Sequence, residues 1–280
     1  MAIDTLKDRI SGAVRRARGD ALVREEGRSH RSELAQVRSS LSDLGAQVRV
    51  LQTTVAELTE AVASTAGGAR RAAPVLTAEQ GSWKDVAQEG ELSFHKRPNI
   101  RSGTEWESSN ERMWRNFGFE PTGWEDKVVI DVGAGSRLRS LFFEGSKIAV
   151  IEPLADQYSA EVEWNDLELA DELHSVPAET LVPSLVGTGD LIISINALDH
   201  GYEFDQAIGN IAEYVKPTGT VFLSYDEHAE VDELHPLVIS DEVSREVFDR
   251  HGLAVEDFRV TAGYHPGLGG GALNYWLRKR

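Results

Sequence analysis

The residues of this 280-residue chain most able to do chemistry lie in four short runs. VVIDVGAGSRLRS (128–140) carries an apolar run into an acid, Asp131, and then into a turn holding Gly133 and Gly135. Glycines at such a place let the chain leave a strand sharply and let a ligand come close to the backbone. The next apolar run, IAVIEP, ends in Glu152, a carboxylate able to accept hydrogen bonds from two neighbouring hydroxyls. ISINALDH (193–200) sets Asp199 and His200 at another strand end, where an imidazole beside a carboxylate can take a proton. SYDEHAEVDELHP (224–236) gathers Asp226, Glu227, His228, Asp232, Glu233 and His235. Oxygen ligands with one or two imidazoles suit a hard ion such as Mg²⁺; a solvated acidic loop is the plainer reading of the same run.

The elements that must position these residues alternate along the chain from about residue 83. The pattern predicts strands at 128–132, 148–151, 173–176, 190–196, 220–225, 254–261 and 272–278. Helices are predicted at 106–117, 137–142, 154–159, 179–185, 203–215 and 240–251, with Pro217 and Gly219 stopping the fifth. Alternation of this kind argues for an α/β fold, a Rossmann-like seven-stranded mostly parallel sheet covered on both faces. The last two strands have no long helix between them, so they form an antiparallel edge hairpin.

The glycine turn is not a dinucleotide fingerprint. That motif requires a third glycine for close helix packing, and Leu138 stands there. Asp131 would also lie where a diphosphate passes. Taken in order, Asp131-Val-Gly133-Ala-Gly135, Glu152-Pro153, Pro177-Ala178-Glu179, DLIISINALDH (190–200) and Val215-Lys-Pro217-x-Gly219 resemble the class I S-adenosylmethionine-dependent methyltransferases across roughly 125–225. The resemblance implies that Gly133 and Gly135 admit S-adenosylmethionine and that Asp131 lies near its amino-acid and sulfonium end. It implies that Glu152 holds the ribose, Pro153 follows it, and Ala178 and Glu179 border adenine. Asn196 and Leu198 then line the side from which the methyl group leaves. A nicotinamide-dependent reductase and a cofactor-free shell are the rival readings.

Methyl transfer to a hydroxyl needs alignment and a proton acceptor. His200 is the first candidate for that base, with Asp199 orienting it; His228 or His235 could replace it, and a purely structural His–Asp pair is the alternative. The aromatic and polar stretch 93–119, with Trp106, Arg112 and Trp114, is placed either as a cover over the cofactor and acceptor or as core. GYHPGLGGG (263–271) reads as a turn over the same rim, with His265 a further contact. The FHK run, IDVGAGSRLR, IEPLAD, ISINALDH, DELHP and LNYWLRK also resemble bacterial methyltransferases associated with polysaccharides. That resemblance implies O-methylation of a sugar hydroxyl on a saccharide or glycan. A small hydroxylated acceptor of quinone or polyketide type is the second reading, and a non-catalytic scaffold the third.

Ahead of the body, Leu34, Leu41, Val48, Val55 and Val62 recur every seven residues, with Val37, Leu44, Leu51 and Leu58 three after the first four. Mostly β-branched a positions and Leu at d favour a parallel two-stranded coiled coil, so residues 1–63 read as a stalk that makes a dimer. Residues 64–82 read as a linker and 83–280 as the catalytic body. An amphipathic segment at 3–18 could touch an anionic membrane surface, but Asp4, Asp8 and Asp20 dilute its basic face, and a further stalk helix fits as well. Residues 1–72 hold 12 Lys and Arg against 9 Asp and Glu, a balance of +3; the rest hold 17 against 37, or −20. Such a body repels a phosphate backbone, which argues against nucleic acid as a partner. With no cysteine, disulfides and thiolate chemistry are excluded. No apolar run reaches the roughly 18 residues a membrane span needs, and MAIDTLKDRI lacks a signal-peptide core, so a cytoplasmic location is expected.

Overall fold

A computed structural model describes residues 74–98, 100–228, 230–264 and 271–280. The expected stalk, its dimer, the segment 3–18, the linker up to residue 73 and His265 lie outside the described residues. Among the described residues no helix is long and apolar enough to cross a membrane.

The sheet is built from β1 (Val128–Val132), β2 (Lys147–Ile151), β3 (Glu172–His174), β4 (Gly189–Ile195), β5 (Val215–Asp226), β6 (Leu253–Ala262) and β7 (Gly271–Lys279). Their order is β3-β2-β1-β4-β5-β7-β6. The first five run parallel, and β7 is antiparallel to both β5 and β6. The expected mostly parallel sheet with an antiparallel hairpin is therefore present.

Side chains alternate across this sheet and both faces are buried, which is why its central strands read as unbroken apolar runs. Ile130, Val132, Ala149, Ile151 and Ile192 pack on one side, against α4 (Phe204–Tyr214) and α5 (Asp241–Arg250). On the other, Val129, Leu191, Ile193 and Phe222 meet Trp114 of α2 (Trp106–Asn116), while Ile148 and Val150 meet Tyr158 of α3 (Ala155–Glu161). Ser240 caps α5, its hydroxyl accepting from the Val243 amide at 3.4 Å.

Four expectations need correction. β5 begins at Val215, not 220, and runs through Lys216, Pro217 and Thr218. Pro217 is exposed and beside a register shift, where a missing N–H costs no ladder bond. The helices expected at 137–142 and 179–185 are only 3₁₀ turns, Arg139–Phe142 and Pro183–Leu185. Pro183 opens the second of them, so no α-helix can run through it from 179. The last part of the expected linker is not loose: Val75 and Val238 exchange backbone hydrogen bonds of 3.1 and 2.9 Å, and Phe204 N donates to the Leu76 carbonyl at 3.0 Å. The following residues are helical, as α1, through Gln80–Ser82, a π-helical turn Trp83–Ala87 and Gln88–Lys96.

Trp114 is fully buried, in ring contact with Phe119, Phe142, Phe143 and Phe222, and its Nε1–H donates to the Arg139 carbonyl at 2.9 Å. Trp106 is buried too, so both belong to the core rather than to a cover, and Arg112 is exposed. Trp114→Ala is expected to destabilise the body by about 3–5 kcal/mol, read as a lowered urea midpoint.

Candidate active site

Strand order reverses between β1 and β4, and the crevice outside their carboxyl ends is where an open α/β sheet holds ligands. Three left-handed residues bound it. Gly133 and Gly135 have φ of +73° and +69°, and Asn196, leaving β4, has φ of +53°, a conformation asparagine tolerates better than most residues. A Cβ on Gly133 would overlap that of Ala197, and one on Gly135 would stand 2.7 Å from the His95 ring. The chain turns here only without side chains.

A cavity of about 330 Å³ opens at this point, large enough for one small-molecule ligand. It is lined by Gly133, Gly135, Glu152, Pro153, Ala178, Glu179, Asn196, Leu198 and His200, all expected from sequence. Asp131 is not on the lining. It shares its face of β1 with Val129, is 3% exposed, and accepts a long hydrogen bond from the Ser140 amide, 3.4 Å. Burial raises its pKa to about 6.

Glu152 lies at the end of β2 with one carboxylate oxygen accepting from the Gly135 amide (2.8 Å) and the other from the Leu154 amide (2.9 Å). Burial nevertheless outweighs these bonds and lifts its pKa to about 7. Glu179 accepts from the Tyr202 and Glu203 amides (2.7 and 3.1 Å), which fixes the loop entering α4. Its carboxylate is thus committed to that loop.

The cover comes from α1, which the sequence did not reveal. Its π-helical turn seats Trp83 on Tyr202, ring centroids 4.8 Å apart, and Trp83 Nε1–H donates to the His200 carbonyl at 2.7 Å. One and two turns on, Glu91 and His95 line the cavity. His95 Nδ1 accepts from the Ser136 amide at 3.3 Å and lies 2.7 Å from its hydroxyl. Burial lowers its pKa to about 3, so it is neutral. Arg101, Arg139 and Tyr264 complete the polar lining, with both guanidinium groups over the Trp106 ring at 5.6 and 4.8 Å. His95 and Arg101 fall in the run FHKRPNIR and Arg139 in the glycine-turn run, so composition offered a hint of them; nothing marked Glu91.

The proposed acid–base residues come together. His228 Nε2 and Asp199 Oδ2 are 2.9 Å apart, the His200 and His235 rings 4.3 Å, and the His228 and His235 rings 4.1 Å. Only His200 among these lines the cavity. Its Nδ1 is 3.1 Å from Glu91 Oε1. Burial alone would lower the His200 pKa, but the Asp199 and Glu91 carboxylates prevail and raise it to about 9. Burial pushes Glu91 the other way, yet His200 holds it at about 2. These charges favour a protonated His200 beside an ionised Glu91, which weighs against His200 as the base expected of it. Among the described residues the acidic run around 226–233 forms no oxygen cage for Mg²⁺: Glu233 is exposed, Asp232 turns both oxygens on His235 Nδ1 at 2.9 Å, and Asp226 accepts from the Tyr264 amide.

No family model and no curated protein matches the chain. Solved structures do. The [4+2]-cyclase SpnF superposes with a TM-score of 0.54 at 15% identity, over 75% of this chain and 99% of that one. The 1,6-didemethyltoxoflavin N1-methyltransferase of Burkholderia thailandensis, solved with S-adenosylhomocysteine, gives 0.48 at 17% over 75% and 96%. A SAM-dependent methyltransferase of Leishmania major gives 0.48 at 17% over 72% and 87%. What the chain shares with the first of these is its fold, a Rossmann-like seven-stranded sheet whose seventh strand is reversed.

Gly133→Ala is expected to cost more than about 1 kcal/mol in a thermal or urea melt, from strain at positive φ added to the clash with Ala197. Adding Ala197→Gly should relieve the clash alone, so recovery should be partial.

Proposed function

We propose that the chain is an S-adenosylmethionine-dependent O-methyltransferase acting on a sugar hydroxyl of a saccharide or glycan. The observation that carries this reading is one cavity shared by the Gly133–Gly135 turn, the Glu152 carboxylate and the Glu91–His200 pair. Glu152 accepts from the ribose hydroxyls. Arg101 or Arg139 meets the carboxylate of the methionine part, a planar fork suited to that group. The acceptor oxygen attacks the methyl carbon, a C–O bond forms, and the C–S bond breaks with its electron pair going to sulfur, leaving a neutral thioether. The hydroxyl proton passes to Glu91, the group near His200 that is unprotonated beforehand. Glu91, His200, Asn196 and Tyr264 favour an acceptor rich in hydroxyls over an apolar one. The heptads at 34–62 are read as pairing two such bodies, and a chain lacking residues 1–66 should then sediment as a monomer.

The direct test is methyl transfer from the sulfonium donor to a panel of mono- and oligosaccharides, with a quinone and a polyketide alongside. One added methyl on a sugar is expected; transfer to the quinone alone would overturn the acceptor assignment. Glu91→Gln should lower kcat by about 10²-fold with the donor KM held.

Cofactor binding should also depend on pH. Glu152 accepts from ribose only as a carboxylate, and its pKa is about 7 in the free protein. Affinity for S-adenosylhomocysteine is thus complete well above pH 7 and falls as the group takes a proton, by about tenfold between pH 8 and pH 6. Calorimetry at the two values measures it. Glu152→Gln should bind weakly at both and lose the dependence.

A further inference from the structure

We infer that Asp199, His200 and His235 form a binding site for one divalent transition-metal ion, with Zn²⁺ as the type. Each of the three offers a ligand atom, these atoms all lie within 4.8 Å of one another, and all three residues are buried. One carboxylate with two imidazoles is a donor set for Zn²⁺, Fe²⁺ or Co²⁺, and not for Mg²⁺, which takes oxygen almost exclusively.

The surroundings point the same way. Metal-binding histidines nearly always turn their second nitrogen on a carboxylate or carbonyl, which fixes the ring. His235 does so through Nδ1 to Asp232 at 2.9 Å, and His200 through Nδ1 to Glu91 at 3.1 Å. Asp199 is held from outside as well, by His228 at its Oδ2, and the residue is wholly buried. Its other oxygen, Oδ1, has no hydrogen-bond partner among the described residues. A sequestered carboxylate oxygen without a partner is costly unless something positive meets it. His200 also has the Leu234 backbone as a hydrogen-bond partner, a contact for which an ion would compete.

His200 is the member that lines the cavity, so the ion would sit beside the acceptor. Its role there, polarising the hydroxyl that accepts the methyl group, rests on the methyl-transfer reading; the site itself does not.

The test uses the full-length protein, dialysed against a chelator and titrated with Zn²⁺ by calorimetry and with Co²⁺ by absorbance. The expected result is one ion that His235→Gln or Asp199→Asn loses, with a d–d band in the Co²⁺ form. Asp232→Asn, at a half-exposed position outside the ligand set, should keep the fold by circular dichroism and weaken Zn²⁺ by about 10–100-fold. His174→Gln, on β3, should leave it unchanged. Wild type binding no more Zn²⁺ than His235→Gln, or Asp232→Asn binding as tightly as wild type, would overturn the proposal. S-adenosylhomocysteine binding is measured on the same samples. Its absence with the ion still bound would sink the cofactor reading and support the metal site alone.

Discussion

The constraint on which the rest depends is the parting of the chain between β1 and β4. Two parallel neighbours that lead to opposite sides of the sheet leave a gap at their carboxyl ends, and the backbone must bend away at once to keep it open. Gly133 and Gly135 do this on one side and Asn196 on the other, each at positive φ. Every other group in the site is placed by reference to that gap. Glu152 reaches it because β2 pairs in register with β1, Val132 opposite Ile151, so the residue after β2 comes level with the turn. His200 reaches it because a single 3₁₀ turn, Leu198–His200, starts one residue beyond Asn196, after Ala197.

A gap so formed would be open to water on one side, and α1 closes it. That helix contributes little by intrinsic preference; it is held by contacts. Trp83 bonds to the His200 carbonyl, His95 lies over Gly135, and Lys96 pairs with Glu161 of α3 at 2.6 Å. The exposed Lys96 pair adds little stability, so the anchoring rests on Trp83 and His95, both buried. The same helix delivers Glu91 to His200. Cover and chemistry thus arrive on one element, and residues 74–78, stitched to Val238 and Tyr202, fix where it starts.

Much of this was legible in advance, for physical reasons. Strands buried on both faces must be apolar throughout, so VVI and LIISI announced β1 and β4, and a carboxylate at the end of β2 followed from strand spacing. What escaped notice was stabilised from a distance. GSWKDVAQEGELSFHK has Gly81 and Gly90 and no clean apolar stripe, and Gly90 packs so closely on Leu234 that a Cβ there would force that distant side chain to shift. The run after Gly135 looked helical, yet Ser140 turns its amide to Asp131 and the segment tightens to 3₁₀. Asp199, His200, His228 and His235 were each singled out, but one sequence cannot say that residues 199 and 235 touch, or that Asp131 faces away from the cavity.

The electrostatics of the cavity argue for the kind of ligand it takes. Glu152 on the cavity lining and Asp131 outside it are both raised well above ordinary carboxylates, to about 7 and about 6, because they lose water and gain too little in exchange. Each raised pKa is a cost of holding charge, roughly 1.4 kcal/mol per unit, and the body around them is already strongly acidic. Nearby Arg139 remains a cation despite burial, with a pKa of about 10, and Arg101 lies beside Glu91. Glu91 is paired with His200 on the cavity wall, whereas Glu152 has only backbone amides to meet its charge. A ligand with hydroxyls for Glu152 and a carboxylate for an arginine offsets the costs on the cavity wall together. A neutral, apolar molecule of the same volume would offset none of them.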